Sequence, residues 1–286
     1  MTHDYAVDQD VFQEALACYV RTYADYYGDR LVSVYVWGSV SRGEAVAGIS
    51  DLDLMIITRD GFTSLDEQWE LSRWHGDDVC APFGIKTHPT RSNTAEALYR
   101  GLYPTSEDSD NVAAALSAFV RGGVVSDLER ATIKPGTLAR CIHYDATLAF
   151  GRDIVGRAPC PIMDAAWGAY YLDWPYKIIR KALSTGDACV AKTANTQPDW
   201  RKLARLAVQI GDCFLMAKAR FISFRVRDVV PSLIDLFPSW SPFLVETRQM
   251  ALNEMGAPFD QELYGSELLR WSEWVKEAVH SQRNGS

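Results

Sequence analysis

Two aspartates and a short turn before them carry the clearest chemistry in the sequence. Asp51 and Asp53 stand two positions apart in S-D-L-D-L, and the Gly38-Ser39 pair ends an apolar segment upstream. Side chains of a strand alternate between its two faces, so both carboxylates point the same way, roughly 7 Å apart. Such like charges repel unless a cation lies between them, and Mg²⁺ is held by one or two carboxylates plus substrate phosphates. The spacing therefore predicts a Mg²⁺ site at Asp51 and Asp53.

The Gly38-Ser39 pair has the residue types of a phosphate-binding turn. Because glycine has no side chain, the backbone at Gly38 can approach a ligand closely. Exposed amide groups and the Ser39 hydroxyl can then bind phosphate oxygens. Together with the two aspartates, the turn predicts a site for phosphate groups that are bound to a metal.

The surrounding sequence predicts the elements that hold these residues. Residues 31–37 (LVSVYVW) are β-branched and aromatic and predict a strand that runs into the turn, and residues 51–58 predict a second strand. Apolar residues at helical spacing predict a helix over 9–28 before them. The rest of this half is expected to contain helices over 61–74, 93–103 and 109–130, a third strand over 82–90 and a short strand within 143–155.

The character of the chain changes after residues 157–161 (RAPCP), whose two prolines indicate a boundary. Beyond it, apolar and aromatic residues recur at helical spacing. The expected helices cover residues 163–184, 199–222, 228–236, 241–255 and 264–281. This series predicts a helical bundle. We therefore predict two domains, 1–158 and 159–286.

The pattern G-S-x-x-R-G-E followed by S-D-L-D-L resembles the signature of the DNA polymerase β-like nucleotidyltransferases. It is closest to aminoglycoside adenylyltransferases and the minimal nucleotidyltransferases. The resemblance implies an α/β (α+β) nucleotidyltransferase domain with a small mixed sheet, followed by an all-α helical-bundle domain. It assigns catalysis and metal binding to Asp51 and Asp53, and the β- and γ-phosphates of the NTP, expected to be ATP, to Gly38 and Ser39. Arg42 is assigned to nucleotide binding, where it holds either the turn or the phosphates.

A second similarity lies in the helical half. Residues 183–200 (LSTGDACVAKTANTQPDW) are similar to the "TG…(S/A)K" turn in the helical domain of aminoglycoside adenylyltransferases. Residues 148–156 (LAFGRDIVG) are similar to the end of the catalytic domain of these enzymes. The resemblance implies that Lys192 reaches the triphosphate and is a further nucleotide-binding residue.

One departure from the family concerns its third carboxylate, which the next strand usually supplies. In the strand expected over 82–90, the residues that would face the site include no acid: Gly84, Lys86 and His88. The third acid can come from elsewhere, the candidates being Asp77, Asp78 and Asp145. Alternatively, two acids suffice, with Lys86 contacting a phosphate, or the protein binds nucleotide without turning it over. The sequence leaves these interpretations open.

Composition narrows the range of partners. The net charge of −8 argues against broad contact with a nucleic-acid backbone, because Lys and Arg drive such binding. The six cysteines form no C-x-x-C pair and the five histidines no H-E-x-x-H pattern, so we expect neither a zinc site nor a disulfide framework. Free cysteines suit a reducing cytosol. No signal peptide and no membrane span are expected, and we predict a cytoplasmic location.

The resemblance implies transfer of a nucleoside monophosphate, expected to be AMP, from an NTP to a hydroxyl of a small-molecule acceptor, with release of pyrophosphate. An acidic cleft would favour a cationic acceptor such as an aminoglycoside-like antibiotic, by analogy with the family. Three alternatives stay open. They are an enzyme that modifies a protein hydroxyl or an RNA 3′ end, a nucleotide-binding or antitoxin-like protein with a degenerate site, and a tailoring enzyme for an unusual metabolite. Nucleotide-dependent turnover separates the enzymes from the binding protein.

Overall fold

The computed structural model describes residues 10–58, 81–85, 116–121, 124–125, 143–153, 160, 162–184, 198–256 and 258–283. The chain divides into two compact units, Met1–Pro161 and Ile162–Ser286. The predicted domain boundary at residues 158 and 159 lies outside the described residues.

Helix α1, Asp10–Tyr27, opens the first unit, and the helix predicted over 9–28 is thereby confirmed. Its buried side chains recur every three or four positions and form one apolar stripe: Phe12, Ala15, Tyr19, Tyr23 and Tyr27. The rings of Tyr19 and Tyr23 stack with their centroids 4.1 Å apart. This stripe packs against the sheet that follows.

Five strands form one sheet in the order β4-β3-β2-β1-β5. The strands are β1 Leu31–Trp37, β2 Asp53–Thr58, β3 Leu116–Arg121, β4 Val124–Val125 and β5 Ala146–Gly151. A short helix, α2 Gly38–Ser41, follows β1. The strands predicted over 31–37, 51–58 and within 143–155 are confirmed, as is the α+β fold class. The four described pairings are all antiparallel, so the expectation of a mixed sheet is wrong for these strands.

The helix predicted over 109–130 is also wrong, because β3 and β4 lie within it. The segment Leu116–Arg121 pairs with β2, where Val120 is the partner of Leu54. Cross-strand packing of this kind depends on the partner strand, and a helical pattern in one segment does not reveal it. Long-range pairing has overridden local periodicity here.

The strand predicted over 82–90 is wrong for residues 82–84. Residues Ala81–Phe83 form a 3₁₀ turn, and Gly84 follows with a left-handed φ of +65°. The left-handed conformation at Gly84 interrupts an extended backbone, so residues 82–84 do not belong to a strand. Residues 86–90 lie outside the described part of the chain, as do the helices predicted over 61–74 and 93–103.

The second unit is helical, and the five helices predicted for it are confirmed. They are α3 Ala165–Ser184, α4 Trp200–Ala217, α5 Val226–Leu236, α6 Ser241–Ala251 and α7 Gln261–Arg283. Helix α4 is the most buried, and its Leu203 and Ile210 share a core with Trp271 of α7. Asp199 caps the start of α4 by accepting a hydrogen bond from the Lys202 amide at 3.0 Å. None of the helices in the described ranges has the length and apolar character that crossing a membrane requires.

Candidate functional site

The pairing of β1 with β2 brings the turn and the aspartates together. Trp37, the last residue of β1, is the partner of Asp53, the first residue of β2. Gly38 follows Trp37 directly and so lies beside the Asp53 carboxylate. A Cβ atom at position 38 would lie 2.6 Å from Asp53 Oδ2, closer than real Cβ contacts allow. A residue without a side chain is therefore required at this position.

The backbone of the turn also requires glycine. Trp37 is extended, and the chain then reverses at Gly38, whose φ of +74° is left-handed. One helical turn, α2 Gly38–Ser41, follows. The carbonyl oxygen of Gly38 accepts from the Arg42 amide at 3.1 Å, and that of Ser39 accepts from the Glu44 amide at 2.9 Å. These bonds fix the conformation of the turn.

Asp51 and Asp53 lie on the face of the chain opposite to the core. Leu52 and Leu54 are fully buried, whereas Asp51 and Asp53 are only half-buried. This alternation is that of an extended chain with one face on the core. The chain segment before Asp51 is held in place by Ser50, whose hydroxyl accepts a hydrogen bond from the Val46 amide at 2.9 Å.

Arg42 lies in a cluster of buried charges beside the turn. Its Nη1 donates to Asp145 Oδ1 at 2.5 Å, and its Nε donates to Glu44 Oε2 at 3.3 Å. The side chains of Arg42, Glu44 and Asp145 are 15%, 1% and 5% exposed. Burial alone would lower the pKa of the guanidinium, but Asp145 and Glu44 outweigh it and the pKa is raised above its ordinary value. Arg42 therefore stays charged, and its contacts favour the turn-holding role of the two predicted for it.

A neutral contact ties the same turn to β5. The hydroxyl groups of Ser41 and Thr147 lie 2.9 Å apart and share a hydrogen bond. Thr147 belongs to β5 and is paired with Val36 of β1. The turn is thus attached to β5, the strand that pairs with β1.

The donor set at this site suits a hard divalent cation with phosphate ligands. The backbone of Gly38 forms a cradle for the Asp53 carboxylate, and Asp51 lies on the same face. Within the described ranges, no three His, Cys, Asp or Glu side chains come together as a metal site of their own. The strand beside β2 is β3, Leu116–Arg121, and its sequence contains no acid. A cation here would take its remaining ligands from substrate phosphates and water, as Mg²⁺ commonly does.

The predicted residues fall into three groups. Gly38, Ser39, Arg42, Asp51 and Asp53 all lie at the end of the sheet where β1 and β2 meet the turn. Asp145, one of the candidates for the third acid, lies beside Arg42. The third group lies outside the described residues: Lys192, Asp77, Asp78, Lys86 and His88. The clustering of Asp145 with Arg42 is a contact that sequence reasoning missed, since it joins positions 103 apart without a local signal.

Comparison with known proteins agrees with this geometry. Residues 21–89 match the family model of the nucleotidyltransferase domain. The matched stretch contains β1, the turn and β2, and it makes this part of the chain a nucleotidyltransferase domain of the DNA polymerase β-like superfamily. The protein is accordingly a transferase of nucleotidyl groups, and the general reaction of such a domain is transfer of a nucleoside monophosphate from an NTP. A search of curated proteins found no match.

Proposed function

We propose that this protein transfers AMP from Mg²⁺-bound ATP to a hydroxyl of a small-molecule acceptor and releases pyrophosphate. The close approach of the Asp53 carboxylate to Gly38 carries the proposal. It joins the acidic strand and the glycine turn at one point inside the matched domain. A metal held by the acids and phosphates held by the turn would then share that point.

Each residue has a defined task in this proposal. Asp51 and Asp53 hold the metal, which when bound reduces the negative charge around the α-phosphate and on the departing pyrophosphate. Gly38 lets the β- and γ-phosphates reach the backbone, and the Ser39 hydroxyl binds a phosphate oxygen. The acceptor oxygen bonds to the α-phosphorus as the bond to the bridging oxygen breaks, and the hydroxyl proton passes to a base or to water. Lys192 stays a predicted nucleotide-binding residue.

The class of acceptor that we propose is based on the net charge of the chain. The chain has a formal net charge of −8, and an acidic protein attracts cationic molecules. An aminoglycoside-like antibiotic or another polyamine with free hydroxyls fits this requirement.

The thiols of Cys18, Cys160 and Cys213 are free, as is usual for a protein of the reducing cytoplasm.

A second candidate function is nucleotide binding without turnover, as in an antitoxin-like protein with a degenerate site. The observation that favours it is the sequence of β3, which lies beside β2 and has no acid. With two carboxylates, such a site would still bind a metal–nucleotide complex.

Pyrophosphate release separates the two candidates. Each NTP is incubated with Mg²⁺ and a panel of aminoglycosides, with wild type, Asp51→Asn and Asp53→Asn in parallel. Asp25→Asn, on the exposed side of α1, is the matched control. For the enzyme we expect acceptor-dependent release that falls by about 100-fold or more in the two site variants, since lost charge stabilisation has effects of this size. Binding of an NTP without release under any condition would favour the second candidate.

A further inference from the structure

Two residues of the charged cluster beside the turn also hold the backbone of the turn. Arg42 and Glu44 donate their amide hydrogens to the carbonyl oxygens of Gly38 and Ser39. Their side chains are joined to each other at 3.3 Å. The same two residues therefore hold the turn by their amide groups and are joined by their side chains.

Asp145 anchors this cluster to the sheet. It precedes Ala146, the residue of β5 that pairs with Trp37, and Trp37 is the residue before Gly38. The hydrogen bond from Arg42 Nη1 to Asp145 Oδ1, 2.5 Å long, thus connects the end of the turn to β5. At the same end of β5, Ala146 pairs with Trp37, the residue at which the turn begins. Asp145 is buried, and its Oδ1 accepts a hydrogen bond from the Arg42 guanidinium. The carboxylate is therefore already paired with Arg42.

We propose that Asp145 and Glu44 are positioning residues, which hold Arg42 and so fix the Gly38-Ser39 turn at the distance from Asp53 that a bound triphosphate requires. The inference rests on the proposed function, since the roles of the turn and of Asp53 are assigned there. It gives Asp145 a different task from that of a third metal ligand. Two acids around one guanidinium hold it by two different nitrogen atoms, so the orientation of the side chain is fixed as well as its place.

Calorimetric titration of ATP tests this role, with Mg²⁺ varied at fixed ATP in a second series. The variants are Asp145→Asn, Arg42→Gln and the double variant, and thermal unfolding is recorded for each. Asp153→Asn is the matched control, because Asp153 follows β5 at its opposite end and accepts a hydrogen bond from the Tyr35 hydroxyl at 2.9 Å. It makes the same chemical change beyond the opposite end of β5, away from the turn.

We expect Asp145→Asn to weaken ATP binding by about tenfold or more, because small displacements of positioning groups have effects of this order or larger. The Mg²⁺ concentration at half-saturation should stay at the wild-type value, and Asp153→Asn should bind ATP like wild type. In the Arg42→Gln background, Asp145→Asn should weaken binding no further, since the two residues act as one unit. If Asp145→Asn does not fold, Glu44→Gln carries the test, because it releases Arg42 at the other nitrogen atom while the Arg42–Asp145 pair stays, and it should fold with weakened binding.

Four results would overturn the inference. A raised Mg²⁺ requirement in Asp145→Asn, like that of Asp53→Asn, would make Asp145 a metal ligand. Additive effects of the Asp145 and Arg42 substitutions would show that they act separately. Normal ATP binding by Asp145→Asn, or by Glu44→Gln where Asp145→Asn does not fold, would reject the positioning role alone, with the proposed function intact. Failure of the wild-type protein to bind any NTP would reject the proposed function, and the positioning role with it.

Discussion

The carboxylate of Asp53 lies so close to Gly38 that no side chain fits at position 38: a Cβ there would come within 2.6 Å of Oδ2. The contact follows from strand pairing, since Trp37 and Asp53 are partners at the ends of β1 and β2. Gly38 therefore allows both the reversal of the chain after β1 and the position of the Asp53 carboxylate. The predictions for the site follow from this relationship.

The Gly38→Ala variant should lose nucleotide binding and some stability. A non-glycine residue in the left-handed region costs roughly 1–2 kcal/mol, and the added methyl group must also displace the Asp53 carboxylate. Gly48→Ala is a close control, because Gly48 has a φ of +75° in the same loop but nothing within 4 Å of its Cβ position. Chemical unfolding and ATP titration are measured for both variants.

We expect both alanine variants to be destabilised by backbone strain, and only Gly38→Ala to lose Mg²⁺-dependent ATP binding. Equal ATP affinities in the two variants would show that the approach of Asp53 to Gly38 has no part in the site.

Arg42→Gln should be severely destabilising. Removal of the cation leaves Glu44 and Asp145 buried without compensation, and breaking a buried pair in this way costs about 3–5 kcal/mol. Arg42→Lys should have a smaller effect in the same direction, since an ammonium group has one nitrogen atom in place of the two, Nε and Nη1, that reach the two acids. Urea unfolding measures both changes. A loss below about 1 kcal/mol for Arg42→Gln, which is the range of a surface ion pair, would show that the cluster does not stabilise the turn.

Local sequence patterns were sufficient for some elements and not for others. The strand over residues 31–37 is a run of β-branched and aromatic residues, and the helices of the second unit have apolar residues at helical spacing, so both are indicated by their own local sequence. The strand β3 was missed because its partner β2 lies some 60 positions earlier in the chain, and β4 was missed with it because β4 pairs with β3. The site shows the same difference. The Gly-Ser turn and the Asp pair are local patterns, and they could be predicted from the sequence. The Arg42–Asp145 contact joins positions 103 apart and has no local signature.

Gly168→Ala should destabilise the helical unit. A Cβ at Gly168 of α3 would lie 2.5 Å from the Cys213 carbonyl oxygen of α4, so the helices must separate, at a cost of about 1–3 kcal/mol. Gly265→Ala in α7 is the control, because its Cβ would meet Trp200 at an ordinary 3.4 Å. There the higher helix propensity of alanine should stabilise by up to about 1 kcal/mol. Thermal unfolding distinguishes the two, and a Gly168→Ala variant as stable as wild type would contradict the close packing of α3 and α4.

Glu246→Gln should stabilise the protein at neutral pH but not in acid. Burial raises the pKa of the Glu246 carboxyl, and the nearby Glu267 and Asp260 raise it further. The folded state therefore binds this proton more tightly than the unfolded state, and stability falls as pH rises from the ordinary glutamate range through the raised pKa. Urea unfolding at pH 7 and at about pH 3 should show the gain only at pH 7, a range set by the ordinary glutamate pKa.

The control for this pH effect is Glu277→Gln, an exposed substitution on α7. A gain in stability of equal size at both pH values for Glu246→Gln would show that its charge is not the cause. So would an identical gain for Glu277→Gln.

Calorimetric titration of each NTP, with and without Mg²⁺, tests the central claim most directly when wild type is compared with the Asp51→Asn/Asp53→Asn variant. Asp25→Asn serves as the control for one lost charge away from the site. We expect ATP to bind wild type and the control only with Mg²⁺, and the double variant to show no binding. Metal-independent binding, or equal affinity in the double variant, would contradict a metal–nucleotide site at Asp51 and Asp53.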